Sequence, residues 1–390
     1  MRVVALTTSF PLREDSSAGV FVKRLYEHLP EPWHVEVVCP SDNTGREISS
    51  DGRIRVRAVR YAPRRLRVLA QCSGGIAPGL KRAPLRSLLI PGLVAALWWR
   101  CLLASRHADL IHANWAVCGA IAALTSLATR CPVVTTLRGD DVTRAQHSIV
   151  DRWLLRLAVN GSAILVCVSE AMALQLRERF PERGTDIRVC LNGVDSSFLS
   201  MTRTPSPSGQ LRIVAVGSLI PRKGFDILIR AIALMRYRNV VRLRIAGDGP
   251  EKQRLLELAR THGVREKIEL EGHVPPRELP RFLRDADVFV LPSRSEGRPN
   301  AVIEALAAGL PVISSDLPGV KGMVVPGVTG WVVPVDDVAG FADALDAAYS
   351  DPDDRERRGL AARTLILNSR HDWDATGLCY DKAFRDALSG

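Results

Sequence analysis

Cysteine pairs of the CxxC kind are missing from this 390-residue chain. Its eight cysteines, Cys39, Cys72, Cys101, Cys118, Cys131, Cys167, Cys190 and Cys379, stand singly, most of them in apolar runs. That pattern speaks against a zinc or disulfide framework and for buried, reduced thiols. Long hydrophobic runs are missing too. None reaches the roughly 18 residues of a membrane span, and the best candidate, residues 88–99, is short and carries Pro91. Residues 1–10 hold one arginine and a brief apolar stretch before Pro11, which reads as a first strand and not as a secretory signal. Aromatic residues make up only 5%. With no helix-turn-helix, zinc finger or interleaved stacking surface, a nucleic-acid binder would have to rest on charge alone. No G-x-G-x-x-G follows a strand, which sets aside a nicotinamide dehydrogenase.

Acidic residues are absent from one long stretch. Between Arg53 and Ala108 there are twelve Lys and Arg and no Asp or Glu. The net charge of +11 is concentrated in the first half: residues 1–200 hold 26 basic and 17 acidic residues (+9), the remainder 27 and 25 (+2). Residues 61–69 and 81–90 interleave cations with leucines, and Trp98, Trp99 and Arg100 follow. Basic residues with Trp and Leu on one segment suit the interface of an anionic membrane. The same residues are compatible with a core helix whose arginines keep the protein soluble.

What is present is a rhythm of short Val/Ile-rich strands and helices. Strands are expected at 3–8, 34–39, 54–59, 110–113, 133–137, 163–168 and 187–191, with helices at 20–29, 85–106, 118–128 and 170–179. The polar stretch 200–210, with two prolines, reads as the linker. The rhythm then restarts: strands at 211–216, 241–246, 267–270 and 288–291, helices at 226–235, 250–262 and 277–284. Alternation of this kind implies two α/β domains with doubly wound parallel sheets, whose ligands bind beyond the strand C-terminal ends.

Three loops at such strand ends carry chemistry. Gly217 ends a strand, Arg222 and Lys223 follow, and a helix opens near Asp226. Free N–H groups at a helix start beside two cations bind anions, although a solvated basic turn fits the local pattern equally. In Ser295-Glu296-Gly297-Arg298-Pro299-Asn300, Asn300 is a plausible N-cap and Gly309 with Pro311 a plausible stop. Glu304 then lies early in the helix, where a carboxylate can accept both hydroxyls of a ribose or simply complement the helix dipole. The turn Gly247-Asp248-Gly249-Pro250 allows close backbone approach, with Pro250 suited to a first helical position.

Together these residues resemble glycosyltransferase family 4, through RIVAVGSLIPRKGFDILIRA, RIAGDGP, VFVLPSRSEGRPNAVIEALAAGLPVISS and TGWVVP, with seven residues between Glu296 and Glu304. Thr7-Ser9-Phe10-Pro11 with Gly19, and Asn192-Gly193-Val194-Asp195, also resemble it. The resemblance implies a GT-B fold of two Rossmann-like domains facing across a cleft. It would comprise an acceptor domain at 1–199, a nucleotide-sugar domain at 211–360, and helices at 361–390 crossing back. It implies Arg222 and Lys223 on the donor diphosphate, Glu304 on the ribose and Glu296 near the donor sugar. Gly297, Arg298, Pro299 and Asn300 would shape the sugar pocket, Gly19 would approach the diphosphate, and the backbone at His273 and Val274 would face the base. Gly217 and Asp248 complete the donor-binding set.

Many family members carry His where this chain has Arg138, a permanently charged fork suited to a carboxylate or to phosphates. Asp140 and Asp141 look like a metal pair of another glycosyltransferase fold. The family instead implies leaving-group stabilisation by cations and a helix end, with no metal or other cofactor and with retention of anomeric configuration. The expected enzyme is a cytoplasmic one, peripheral at the inner membrane face, moving a sugar (from UDP most readily) to a saccharide or polyprenyl-linked acceptor of cell-surface polysaccharide or glycolipid. Nucleic acid is not an expected partner. The competing readings are a nucleotide-sugar 2-epimerase of the same fold and a basic nucleic-acid-binding protein.

Overall fold

The computed structural model describes the chain except residues 14, 17, 43–51, 70–74, 77–78, 81–82, 204–208, 370 and 390, together with the side chain of Asp140. Residues 204–208 of the expected linker and Cys72 therefore lie outside the described residues. The chain divides into two compact units. The first comprises Met1–Gly193 with Trp373–Gly390, the second Val194–Asp372.

In the first unit seven strands form one parallel sheet: β1 (Arg2–Leu6), β2 (His34–Pro40), β3 (Ile54–Val59), β4 (Leu110–Asn114), β5 (Val133–Leu137), β6 (Ile164–Cys167) and β7 (Ile187–Val189). Their order is β3-β2-β1-β4-β5-β6-β7. Every residue of β4, β5 and β6 is buried, because helices cover both faces; this is why these strands read as apolar runs without alternation. The helices are α1 (Val20–Glu27), α2 (Ile90–Ser105), α3 (Ala116–Thr129), α4 (Asp140–His147), α5 (Ile149–Asn160) and α6 (Glu170–Arg179). Strand order reverses between β1 and β4, so the loops after these two strands diverge and leave a crevice at their C-terminal ends.

The second unit repeats the plan. Strands β8 (Leu211–Val216), β9 (Val241–Ala246), β10 (Ile268–Gly272), β11 (Val288–Leu291), β12 (Val312–Ser315) and β13 (Gly330–Val333) pair in parallel in the order β10-β9-β8-β11-β12-β13. Here the reversal falls between β8 and β11. Around the sheet lie α7 (Ser196–Leu199), α8 (Phe225–Leu234), α9 (Lys252–Thr261), α10 (Leu279–Arg284), α11 (Asn300–Ala307), α12 (Val338–Ser350) and α13 (Pro352–Asn368). Helix α8 buries Phe225, Ile227, Leu228, Ile229 and Ile232 against the sheet, each such side chain contributing about 1.5–3 kcal/mol. The last helix, α14 (Trp373–Ser389), belongs to the first unit: Trp33 packs edge-on against Phe384 with centroids 5.4 Å apart and donates its indole N–H to Asp381 at 2.6 Å.

Several expectations change. The units divide at 193/194 and 372/373, not at 199 and 361, because α13 packs on α11 and α12 of its own unit. The thiols are not all reduced: α14 brings Cys379 onto the end of β7, and the two form the disulfide Cys190–Cys379 across 189 residues of sequence. Cys39, Cys101, Cys118, Cys131 and Cys167 remain free and buried. Pro91 does not interrupt its helix. It occupies the first turn of α2, where no intrahelical N–H is lost, and with the preceding 3-10 turn the helical segment Pro84–Ser105 spans 22 residues, long and apolar enough by composition to cross a membrane. Asn300 is the first residue of α11 and Pro299 its N-cap. Pro250 precedes α9, which starts at Lys252. Helices α4 and α5 were not expected at all.

Candidate functional site

The loops after β8 and β11 meet at the strand reversal of the second unit. Gly224 is the N-cap of α8 and sits at φ 65°, and a Cβ there would collide with the Pro292 carbonyl oxygen. Only glycine lets the cationic loop lie so close to the loop after β11. Lys223 runs back across Gly217, where a Cβ would meet Lys223 Cε at 3.2 Å, and its ammonium donates to Glu296 Oε1 at 2.5 Å. Ser293 Oγ donates to the same oxygen at 2.8 Å, and Arg222 Nη1 lies 3.9 Å from Oε2. Burial alone would raise the Glu296 pKa; the charges of Lys223 and Arg222 outweigh it and hold the carboxyl below the usual range.

Arg294 holds these two loops in register and was not foreseen. Its guanidinium donates to both Asp226 oxygens at 3.0 and 2.9 Å and to Asp336 at 2.7 Å. Its own N–H donates to the Arg222 carbonyl at 2.8 Å. Asp226 lies 68 residues away in sequence, and no local pattern joins the two. The turn after β9 lies alongside, with Leu219 N–H donating to the Asp248 carbonyl at 2.9 Å and Gly247 N–H to that of Gly272 at 2.7 Å. The first of these bonds places Asp248 beside the cationic loop. The second ties the turn to the end of β10, after which His273 and Val274 follow. Glu304 stands on α11, half-buried and without an ion pair among the described residues; burial, with the Asp195 charge, pushes its carboxyl up to about 7. Arg298 keeps Nε and Nη2 buried without a partner among the described residues, and burial brings its pKa down to about 10.

Gly19 and Arg138 belong to the first unit, at its own strand reversal. Gly19 is the N-cap of α1 at φ 73°, and a Cβ would overlap the Ser9 carbonyl. Beyond β5, Arg138 Nε and Nη2 donate to Asn114 Oδ1 at 3.2 and 2.6 Å, and Nη1 to Asn192 Oδ1 at 3.3 Å. Its guanidinium lies 4.5 Å from the Phe21 ring centroid and 5.8 Å from that of Trp115. Trp115, at the end of β4, adopts φ 71°, ψ 153°, a strained backbone for a bulky residue that costs on the order of 1–3 kcal/mol. Asp141 is not poised for a metal: Oδ1 accepts the backbone N–H groups of Arg138, Gly139 and Val142, and Oδ2 that of Ala116.

Comparison with known proteins gives the family and agrees with the fold. Residues 18–198 match the family described as Glycosyltransferase Family 4, and residues 199–365 the family described as Glycosyl transferases group 1. A glycogen synthase of Mycobacterium tuberculosis is 30% identical over 294 residues, covering 72% of this chain and 70% of that protein. The chain belongs to glycosyltransferase family 4. A putative teichuronic acid biosynthesis glycosyltransferase, TuaC of Bacillus subtilis, is 28% identical over 83% of each chain. Among solved structures, sucrose-phosphate synthase from Thermosynechococcus elongatus superposes with a TM-score of 0.82 at 19% identity, covering 100% of this chain and 99% of that one. Anabaena HepE in complex with UDP-glucose gives 0.75 at 18% identity over 98% and 99%. These likenesses give the glycosyltransferase its GT-B fold.

Within this glycosyltransferase, the structure therefore joins Gly217, Arg222, Lys223 and Glu296 directly and sets Asp248 beside them. Arg298 stands on the same strand-to-helix connection as Glu296, and Glu304 on the helix that follows it. Nothing in the sequence pointed to Arg294, Trp115, Asn114 or Phe21 as members of a site.

Proposed function

We propose that this glycosyltransferase binds a nucleoside diphosphate sugar, UDP-linked in the first instance, at the β8/β11 reversal and transfers the sugar with retention of configuration and without a metal. The observation that carries this is the Arg222–Lys223–Glu296 cluster. Two cations lie at the start of α8, one of them bonded to a carboxylate that an incoming diphosphate would displace or share. Their charge then stabilises the departing diphosphate as the glycosidic bond breaks, and the diphosphate oxygen takes the acceptor proton. Arg294 acts only by positioning the two loops. Glu304, freed of its proton, accepts the ribose hydroxyls.

The test is a thermal-shift panel of UDP- and GDP-sugars on wild type, Glu304→Ala and the double variant Arg222→Ala/Lys223→Ala. Ligand at a hundred times its dissociation constant adds about 2.7 kcal/mol. One sugar nucleotide should raise the wild-type Tm while both variants lose the response. Equal responses in all three would refute the site. An epimerase would instead convert the sugar nucleotide with no acceptor present.

The acceptor in this reading is a saccharide or a polyprenyl-linked saccharide, reached at the inner face of an anionic membrane. Helices α2, α3 and α5 lie side by side and expose Trp98, Trp99, Leu127, Ile149 and Trp153, with Leu88 exposed on the 3-10 turn before α2; α2 and that turn belong to the acid-free stretch from Arg53 to Ala108. Each Lys or Arg near an anionic surface contributes about 1 kcal/mol. Flotation with phosphatidylglycerol vesicles but not phosphatidylcholine vesicles, weakened by Trp99→Glu and by salt, is the expected result. Failure to float with either lipid would remove the membrane from the account.

A further inference from the structure

The second unit holds a concavity of about 630 Å3 lined by residues of β8, β9, β10 and α9 and of the 3-10 turn Arg265–Lys267. The loops that carry Gly217, Arg222, Lys223 and Glu296 contribute nothing to it. Three of its cations are fixed on backbone carbonyls. Arg242 Nη1 donates to the Glu266 carbonyl at 2.8 Å, Arg265 Nη1 to that of Ile268 at 2.9 Å and Lys267 Nζ to that of Asn239 at 3.3 Å. A carbonyl aims such a side chain without cancelling its charge, and a guanidinium with five N–H donors keeps the rest for another acceptor. Neither these three nor Lys252, which enters from α9, makes an ion pair among the described residues. Two other lining cations are matched: Arg212 by Asp287 at 3.2 Å and Arg244 by Glu271 at 2.5 Å.

The charge is segregated here. Taken with their ion-pair partners, the lining residues comprise eight cations, Arg203 and Arg284 among them, and five acids: Glu266, Glu269, Glu271, Asp285 and Asp287. Residues 201–390 as a whole hold 27 basic and 25 acidic residues. This one place therefore carries more positive charge than the entire half, and the remainder of that half is net acidic. The undescribed residues of the unit, 204–208 and 370, include no acid.

The volume lies within the range of roughly 300–1,000 Å3 typical of small-molecule sites. Leu256 and Leu270, both half-buried, add an apolar strip. Glu266 and Glu269 are exposed beside the cations, so a long polyanion laid across the concavity would meet like charge, whereas a compact phosphoryl group would not. Aimed guanidinium groups bond phosphate oxygens well.

We infer that this concavity binds a phosphorylated small molecule, a nucleotide or a sugar phosphate, through Arg242, Arg265 and Lys267, apart from the proposed donor site. The inference does not depend on that site: the concavity stands on its own residues.

The experiment is calorimetric titration of the full chain at low ionic strength with ATP, glucose 6-phosphate and inorganic pyrophosphate. Four proteins are compared: wild type, Arg242→Gln/Arg265→Gln, the donor-loop variant Arg222→Ala/Lys223→Ala, and Arg64→Gln/Arg65→Gln, which removes the same charge from exposed arginines of the first unit. One ligand should bind about tenfold or more weakly to Arg242→Gln/Arg265→Gln and as in wild type to the other two. ATP in that role identifies a nucleotide site, glucose 6-phosphate a sugar-phosphate site, and equal losses for all three a site for the phosphoryl group alone. A ligand weakened only by the donor-loop variant belongs to the donor loops.

A variant that removes no contact guards against misfolding. Glu266→Gln/Glu269→Gln takes away the two exposed acids and should tighten the same ligand severalfold. The proposal is overturned if no probe binds wild type at millimolar concentration, if Arg64→Gln/Arg65→Gln weakens binding as much as Arg242→Gln/Arg265→Gln, or if Glu266→Gln/Glu269→Gln leaves the affinity where it was.

Discussion

On the proposed reading, Glu304 should make nucleotide binding depend on pH in a way no surface carboxylate would. Its carboxyl is pushed from 4.5 up to about 7, first by burial and then by Asp195. Only the ionised form can accept both ribose hydroxyls, so the apparent affinity scales with the ionised fraction. With a midpoint near 7 that fraction is roughly a tenth at pH 6 and nine tenths at pH 8. The apparent Kd for the nucleoside diphosphate should therefore fall about tenfold between these values. Titration of the wild type in buffers of matched ionic strength reads this directly, and Glu304→Gln should bind weakly with a flat profile. For the free protein the sign is opposite: a raised carboxyl contributes stability fully present below 4.5 and lost as pH climbs through about 7. A wild-type Kd unchanged from pH 6 to 8, or a Glu304→Gln profile as steep as wild type, would refute the assignment of the ribose to this residue.

Further outcomes follow from the same geometry. Lys223→Met leaves Glu296 buried with a weakened partner and should destabilise by about 3–5 kcal/mol in chemical denaturation, whereas adding Glu296→Gln should recover much of that loss; no recovery in the double variant would mean the pair is not coupled. Gly224→Ala, forced against the Pro292 carbonyl, should lower both Tm and nucleotide affinity, while Gly209→Ala, in open space, should leave affinity unchanged. The Cys190–Cys379 link closes 189 residues, a loop whose closure is worth at most about 5 kcal/mol. Dithiothreitol should therefore lower the wild-type Tm and leave that of Cys379→Ser where it is.

Much of the second unit was legible because its chemistry is local. Gly217, Arg222, Lys223 and Glu296 lie on strand-to-helix connections, and Glu304 early in the helix after one of them, where glycine, cation and carboxylate patterns are imposed by the turns themselves. The Arg138 cluster of the first unit was hidden because its members come from separate places: Phe21 on α1, Asn114 and Trp115 at the end of β4, Arg138 after β5, and Asn192 beyond β7. No periodicity links them. The helices α4 and α5 were missed for a different reason. Ser148 caps α5 directly at the end of α4, leaving no loop to mark a boundary, and Ile149, Val150 and Trp153 are exposed, so the apolar residues of that stretch do not report the buried face. The disulfide was invisible because Cys190 and Cys379 meet only through the return of α14. Arg294 was overlooked because a clamp to Asp226 leaves no trace in spacing.

The central claim is that the cationic loop of the second unit drives departure of a nucleoside diphosphate. The most direct measurement is the rate of UDP or GDP release from a saturating panel of sugar nucleotides, with acceptor-containing membrane extract, for wild type and Lys223→Ala. Wild type should release the diphosphate from one sugar nucleotide, and Lys223→Ala should do so about a hundredfold or more slowly, as expected when a leaving-group donor is removed. Release at equal rates by both proteins would contradict the account.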